Sequence, residues 1–247
     1  RSIYNEDGEF LNRCKTLRES LNSISKQIKA QSTIEGFHGT ASTVVLLLLD
    51  PELHTRGSVF HAGDSRTYLY RANTLKQVTT DHSFLTAAGV KDAKKLPKRL
   101  RNMVTRVVGV QDEVPLEETA VQIKPGDIYL LCSDGLTNMV PDATIKKLFK
   151  KHENDDIASL AEALKENALD AGGDDNISVL LVKINESSAP PEELDDDVED
   201  TVVIGKWRGE KGNASILSQS GPALLLLLVG GLALLFLFMK LLQQIFQ

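Results

Sequence analysis

Three aspartates stand where a chain could hold a hard metal ion. Asp134 closes the run Leu130-Leu131-Cys132-Ser133-Asp134-Gly135-Leu136. Asp64 falls in His61-Ala62-Gly63-Asp64-Ser65-Arg66, and Asp175 in Gly172-Gly173-Asp174-Asp175-Asn176-Ile177-Ser178. Each lies beside Gly or Asn at the end of a run that reads as a buried strand, over 128–131, 58–62 and 177–184. One such carboxylate is an ordinary turn cap. Three of them, each at the rim of a rigid sheet, make an oxygen donor set that selects Mg²⁺ or Mn²⁺ over zinc. A site of that kind suits phosphate esters, because a bound ion polarises phosphoryl oxygens and makes hydroxide from water. His38, His61 and His82 read as structural or surface groups rather than ligands.

The elements that would position these aspartates follow from periodicity. Over 5–31, Phe10, Cys14, Leu17, Leu21, Ile24 and Ile28 step by four and three, which predicts one amphipathic helix capped by Asn5 or Asp7. A strongly apolar strand over 43–49 reads as central, and 57–62, 66–71 and 75–79 follow through loops short enough to demand antiparallel neighbours. A short helix is expected over 83–90. The basic stretch Lys91, Lys94, Lys95, Lys98, Arg99 and Arg101, broken by Pro97, reads as an exposed flap. An edge-type strand over 114–123 contains Pro115. A turn at Lys124-Pro125-Gly126-Asp127 leads into the strand that ends at Asp134. Two helices come next, one starting at Pro141 and one at Asp155 or Asp156, before the last strand at 177–184.

The bulk numbers fit one domain with appendages. The chain has 247 residues, 42% hydrophobic and 25% charged, with a net charge of −6 that argues against a general nucleic-acid binder. Two cysteines, Cys14 and Cys132, make no disulfide framework and suit a reducing compartment. The first residues do not read as a signal peptide, and none is expected. The first residue is Arg1 rather than Met, so a fragment or processed product is expected.

Beyond 184 the composition changes. Residues 185–220 hold Pro190-Pro191 and an acidic run over 192–200, and read as a largely disordered linker; Thr201-Val202-Val203-Ile204 inside it has little weight as a strand. Residues 222–239 carry no charge, and Lys240 can snorkel, so a single transmembrane helix is expected over 221–242, with a short tail at 243–247. Lys206, Arg208 and Lys211 precede it, which keeps the folded domain on the cytoplasmic face of the membrane.

The ordered motifs resemble the PP2C (PPM) family of metal-dependent protein serine/threonine phosphatases in its bacterial form. The resemblance rests on Gly39-Thr40-Ala41-Ser42, His61-Ala62-Gly63-Asp64-Ser65-Arg66, Thr80-Asp81-His82-Ser83, Val104-Thr105-Arg106-Val107-Val108-Gly109, Pro125-Gly126-Asp127, Cys132-Ser133-Asp134-Gly135-Leu136 and Gly172 to Ser178. It covers roughly 36–184. The resemblance implies an α+β fold, two antiparallel sheets sandwiched between helix pairs. It also implies two Mn²⁺ or Mg²⁺ ions bridged by a water that attacks phosphorus, and substrates that are phosphoproteins of a cognate serine/threonine kinase. By motif position Asp134 and Asp175 would be metal ligands and Asp64 would belong to a third, weaker metal site. Asn138 stands where some relatives carry another acid for that site. Arg66, Asp81, Thr105 and Arg106 would support structure, and the basic stretch falls at the family's flap.

One departure concerns the start. The family's N-terminal strands carry a phosphate-binding Arg, a Glu-Asp pair and an Asp-Gly-x-Gly-Gly segment. Here Arg1 to Asp7 echo the first of these with a spacing off by one, and no Asp-Gly-x-Gly-Gly follows. The phosphatase domain, 1–184, is therefore expected to be N-terminally incomplete, and this chain by itself close to inactive. The alternatives are a catalytically inactive module that binds phosphoproteins at the membrane, and a tethered scaffold using the acidic linker as bait.

Overall fold

The computed structural model describes residues 8–33, 39–50, 55–90, 97, 100 and 103–185, together with the backbone of strands at 201–206, 215–218 and 225–229. The basic flap residues Lys91, Lys94, Lys95, Lys98, Arg99 and Arg101, the segment Arg1–Asp7, His38 and most of 186–247 lie outside the described residues.

The opening helix, α1 (Gly8–Gln31), buries the expected stripe of Phe10, Cys14, Leu17, Leu21, Ile24 and Ile28. It lies on a sheet built from β1 (Val44–Leu49), β2 (Arg56–Ala62) and β5 (Glu117–Gln122), with β10 (Leu225–Val229) on the far side of β1. A second sheet contains β3 (Arg66–Arg71), β4 (Thr74–Gln77), β6 (Ile128–Cys132) and β7 (Ser178–Lys183). It is extended by β8 (Thr201–Lys206) and β9 (Ser215–Ser218) in the order β4-β3-β6-β7-β8-β9. Every strand pairing is antiparallel.

Strand alternation builds the layers. Val44, Leu46 and Leu48 face α1, while Val45, Leu47 and Val59 meet Tyr129, Leu131, Leu180 and Val182 between the sheets. On the outer face of the second sheet, Tyr68, Leu130 and Leu181 pack against Ile145 and Phe149 of α4 (Asp142–Lys151) and Leu160 and Leu164 of α5 (Ile157–Asp170). β1 is apolar throughout because both of its faces are covered. The expected antiparallel sandwich flanked by helices is thus the observed one.

Several details differ from the sequence reading. The helix expected over 83–90 is a single turn, α2 (Phe84–Ala87), capped by Ser83. The strand expected over 114–123 shortens to β5, which does lie at a sheet edge. Pro141 is the residue before α4 rather than its first helical residue. A short helix, α3 (Asp134–Thr137), directly follows β6 and has no apolar period to announce it. Thr201–Ile204, given little weight, belongs to β8 and pairs with β7 from Ser178↔Lys206 to Leu181↔Val203. Within the expected transmembrane stretch, Leu225–Val229 is a strand paired with β1, and the rest of 221–242 lies outside the described residues. Among the described residues no helix is long and apolar enough to cross a membrane.

Asp50 and Arg56 close the loop between β1 and β2 with a buried ion pair, the side chains only 2% and 6% exposed. The Arg56 guanidinium also lies 5.1 Å from the Phe10 ring centroid, tying that loop to α1. Removing one partner strands the other charge in a dry site. Asp50→Ala is therefore expected to destabilise the chain by about 3–5 kcal/mol in urea unfolding, whereas Asp50→Leu combined with Arg56→Met recovers most of the loss. Equal stability of Asp50→Ala and the parent would show that the pair is hydrated.

Candidate metal centre

All three aspartates come to one end of the sandwich because of strand register. Arg66, the first residue of β3, pairs with Cys132, the last of β6, and Cys132 pairs with Val179 near the start of β7. Asp64 lies just before β3, Asp134 just after β6 and Asp175 just before β7. The turn Gly63–Ser65 is also the corner at which the chain leaves the first sheet and enters the second.

Ser133 stitches this end together. Its Oγ donates to the Asn176 carbonyl at 3.0 Å and accepts from the Ser178 N–H at 3.0 Å, while its own N–H donates to the Ser178 carbonyl at 3.1 Å. The segment carrying Asp175 is thus pulled against α3. The approach is so close that a Cβ on Gly135 would sit 2.4 Å from the Asn176 oxygen, so no larger residue fits.

The electrostatics report the crowding. Burial and the neighbouring Asp175 carboxylate raise the pKa of Asp134. Burial, then Asp134 and Asp81, push the Asp64 carboxyl up to about 6. The three groups therefore form a chain in which each feels the next. Asn138, one helical turn after Asp134, donates from Nδ2 to Asp134 Oδ2 at 3.1 Å and brings no charge. An all-oxygen donor set that destabilises itself when bare fits a hard divalent cation, because the ion removes the repulsion that the fold imposes.

The supporting residues behave as expected. Arg66 grips Asp81 with two hydrogen bonds of 2.8 and 2.7 Å and donates to the Tyr68 hydroxyl, which in turn donates to Asp142 at the start of α4. Thr105 donates from N and Oγ1 to the His82 carbonyl at 2.7 and 3.0 Å. His61 and His82 are buried, consistent with structural groups.

The sequence reading missed Ser133 and Glu117. Glu117 Oε2 lies 3.0 Å from His82 Nε2 and 3.4 Å from Arg106 Nη1. No spacing links residues so far apart in the chain. His61, His82 and Glu117 bring three ligand atoms within 4.8 Å of one another. Their arrangement does not suit an ion. The rings are stacked with centroids 4.3 Å apart and planes 13° from parallel, so their in-plane lone pairs cannot converge. His82 Nδ1 accepts from the Gly63 N–H at 3.3 Å, which leaves the ring proton on Nε2, facing Glu117. Arg106 Nη1, 3.1 Å from the same nitrogen, donates to Glu117 Oε2 at 3.4 Å and brings a fixed positive charge beside the rings.

Comparison with known proteins agrees with this architecture. The Stage II sporulation protein E (SpoIIE) family matches residues 8–185. The serine/threonine phosphatase stp of Listeria welshimeri is 34% identical over 176 residues, covering 68% of this chain and 67% of that protein. The Mycobacterium tuberculosis serine/threonine phosphatase PstP/Ppp superposes with a TM-score of 0.60 at 30% identity, over 74% of this chain and 77% of that one. The catalytic domain of PstP in complex with two manganese ions superposes with a TM-score of 0.57 at 30% identity, over 72% of each chain. With its sandwich, its rim of aspartates and these likenesses together, this chain belongs to the PP2C-type family of bacterial serine/threonine phosphatases.

Proposed function

We propose that the protein removes phosphate from phosphoserine and phosphothreonine side chains of other proteins, using Mn²⁺ or Mg²⁺ held at the aspartate rim. The observation that carries this reading is the strand register that brings Asp64, Asp134 and Asp175 to one end of a PP2C-type sandwich, where burial and a neighbouring carboxylate raise the pKa of Asp64 and Asp134. Asp134 and Asp175 would hold the principal ions and Asp64 a weaker third, with the neutral Asn138 beside it. When bound, the ions supply Lewis acidity, activating water and polarising the phosphoryl oxygens. The chain's own part is placement. Ser133 and Gly135 set Asp134 against the Asp175 segment, and Arg66 with Asp81 fixes the start of β3. The open rim accepts a phosphorylated side chain from a protein surface. The phosphoproteins would be products of a serine/threonine kinase acting on the same pool.

The location is proposed from the apolar run at 222–239, which is long enough to span a bilayer and much longer than the five-residue strand within it. A single anchor after an acidic linker would hold the phosphatase at the cytoplasmic face of the membrane. For Leu225–Val229, pairing with β1 and crossing a bilayer are mutually exclusive, and fractionation separates them.

Three outcomes are expected. A protein that also carries the Asp-Gly-x-Gly-Gly segment absent from residues 1–247 releases phosphate from a phosphothreonine peptide in a Mn²⁺-dependent manner, whereas residues 1–247 by themselves release little. Asp134→Asn and Asp175→Ala lower that rate by about a hundredfold or more, and Asp134→Asn removes most of the rise in melting temperature caused by Mn²⁺. Unaltered turnover in both variants would sink the assignment. A protein carrying that segment that binds phosphopeptides but releases no phosphate would favour the binding-module reading instead.

The second outcome concerns pH. The Asp64 carboxyl, ordinarily near 3.8, is pushed up to about 6 in the folded chain. Its ionisation therefore opposes folding above pH 6, and the opposition fades as the pH falls from the folded value towards the ordinary one. In metal-free protein, Asp64→Asn is expected to raise the melting temperature at about pH 7.5 and to flatten the pH dependence across that window. No gain at neutral pH would mean that the carboxylates are not crowded.

The third concerns the anchor. Deleting 221–247 is expected to move the protein from the membrane fraction to the soluble one while circular dichroism retains the folded signal. A parent chain that is already soluble assigns Leu225–Val229 to the sheet and rules the anchor out.

A further inference from the structure

Gly63 immediately precedes Asp64 and has φ +125°, a conformation open to glycine, and a Cβ there would meet Thr43 Cγ2 at 2.4 Å. A glycine held at the corner between two sheets has little conformational preference of its own, so something else must fix its peptide planes. His82 does so from both sides. Its backbone N–H donates to the Gly63 carbonyl at 2.9 Å, and its Nδ1 accepts from the Gly63 N–H at 3.3 Å. The ring is itself held: Nε2 faces Glu117 Oε2 at 3.0 Å, His61 stacks on one face at 4.3 Å, and the His82 carbonyl accepts twice from Thr105. His61 supplies a neutral platform, since burial lowers its pKa and its Nε2 donates to the Thr80 carbonyl at 2.9 Å.

We infer that His82 is a positioning residue for the metal centre: by clasping both polar groups of Gly63 it aims the Asp64 carboxylate, and Glu117 and Arg106 hold the clasp in its orientation. This rests on the placement of Asp64 at a metal proposed above. Outer partners of metal ligands commonly change metal affinity by about 10–100-fold when removed.

Two substitutions divide the ring's functions. His82→Asn keeps an acceptor near the Nδ1 position but loses contact with Glu117, whereas His82→Gln reaches Glu117 and loses the acceptor for the Gly63 N–H. Mn²⁺ binding to the full chain is measured by electron paramagnetic resonance titration, with Asp64→Asn defining the ions that depend on that carboxylate. The expected result is that His82→Gln weakens this Asp64-dependent binding by about tenfold. His82→Asn stays within about threefold of the parent, and the remaining Mn²⁺ binding is unchanged in both. Melting temperature without metal is read alongside. Equal losses in both variants, tracking a fall in metal-free melting temperature, would reduce His82 to a packing residue and overturn the inference. So would unchanged Mn²⁺ affinity in His82→Gln. If Asp64→Asn itself leaves Mn²⁺ binding unaltered, Asp64 holds no ion and the inference falls with that assignment.

Discussion

Carboxylates of like charge do not gather of their own accord, and the rest of this structure exists to make Asp64, Asp134 and Asp175 do so. Burial first, and then a neighbouring carboxylate, raise the pKa of two of them. The crowding is tolerated because each aspartate sits on a segment whose position is set elsewhere. Cys132 is locked between Arg66 and Val179 in the strand register, and the sheet behind it is anchored by side chains such as Leu130 and Leu131 that expose no surface. Packed sheet is stiff, so the energy of crowding cannot be relieved by letting the rim spread. In the proposed function a divalent ion would relieve it instead and turn a local instability into affinity.

That arrangement also explains where the polar side chains of the interior are spent. Ser133, Thr43, Arg66, Asp81 and His82 do not add a core; they tie turns to strand ends. Ser133 satisfies three backbone groups of the Asn176–Ser178 segment, and the Thr43 hydroxyl shares a hydrogen bond of 2.9 Å with Ser65 Oγ beside Asp64. Polar groups withdrawn from water are costly unless satisfied, and these are satisfied by the loops that carry Asp64, Asp134 and Asp175. Two glycines, Gly63 and Gly135, stand where a side chain would collide with the neighbouring segment. Rigid turns and close approach are therefore parts of the same site.

The first sheet has a different task. β1 is apolar on both faces, and each of its edges is paired, with β2 on one side and β10 on the other. An unpaired edge on so apolar a strand would be a site for association. The uncharged run at 222–239 suits either role, since a strand paired with an apolar neighbour and a helix in lipid both favour uncharged residues. Composition cannot separate the two, because it is equally satisfied by either environment.

Much of the framework was legible in the sequence. The α1 stripe, the alternation of β1, the abrupt stops at Asp64 and Asp134 and the Gly-Gly turn before Asp175 each follow from local rules of periodicity and turn chemistry, and together they named the aspartates. What the sequence could not reveal was pairing. Glu117 meets His82, and Ser133 meets Asn176 and Ser178, only because β5 pairs with β2, the chain passes to the second sheet just after β2, and β6 lies between β3 and β7. The short α3 helix, and a Pro141 that precedes α4 rather than opening it, escaped for a related reason, since a single turn has too few residues to show a period. Residue types and spacing singled out Asp64, Asp134 and Asp175. Long-range register, set by the burial of two sheet faces at once, decided which of them touch.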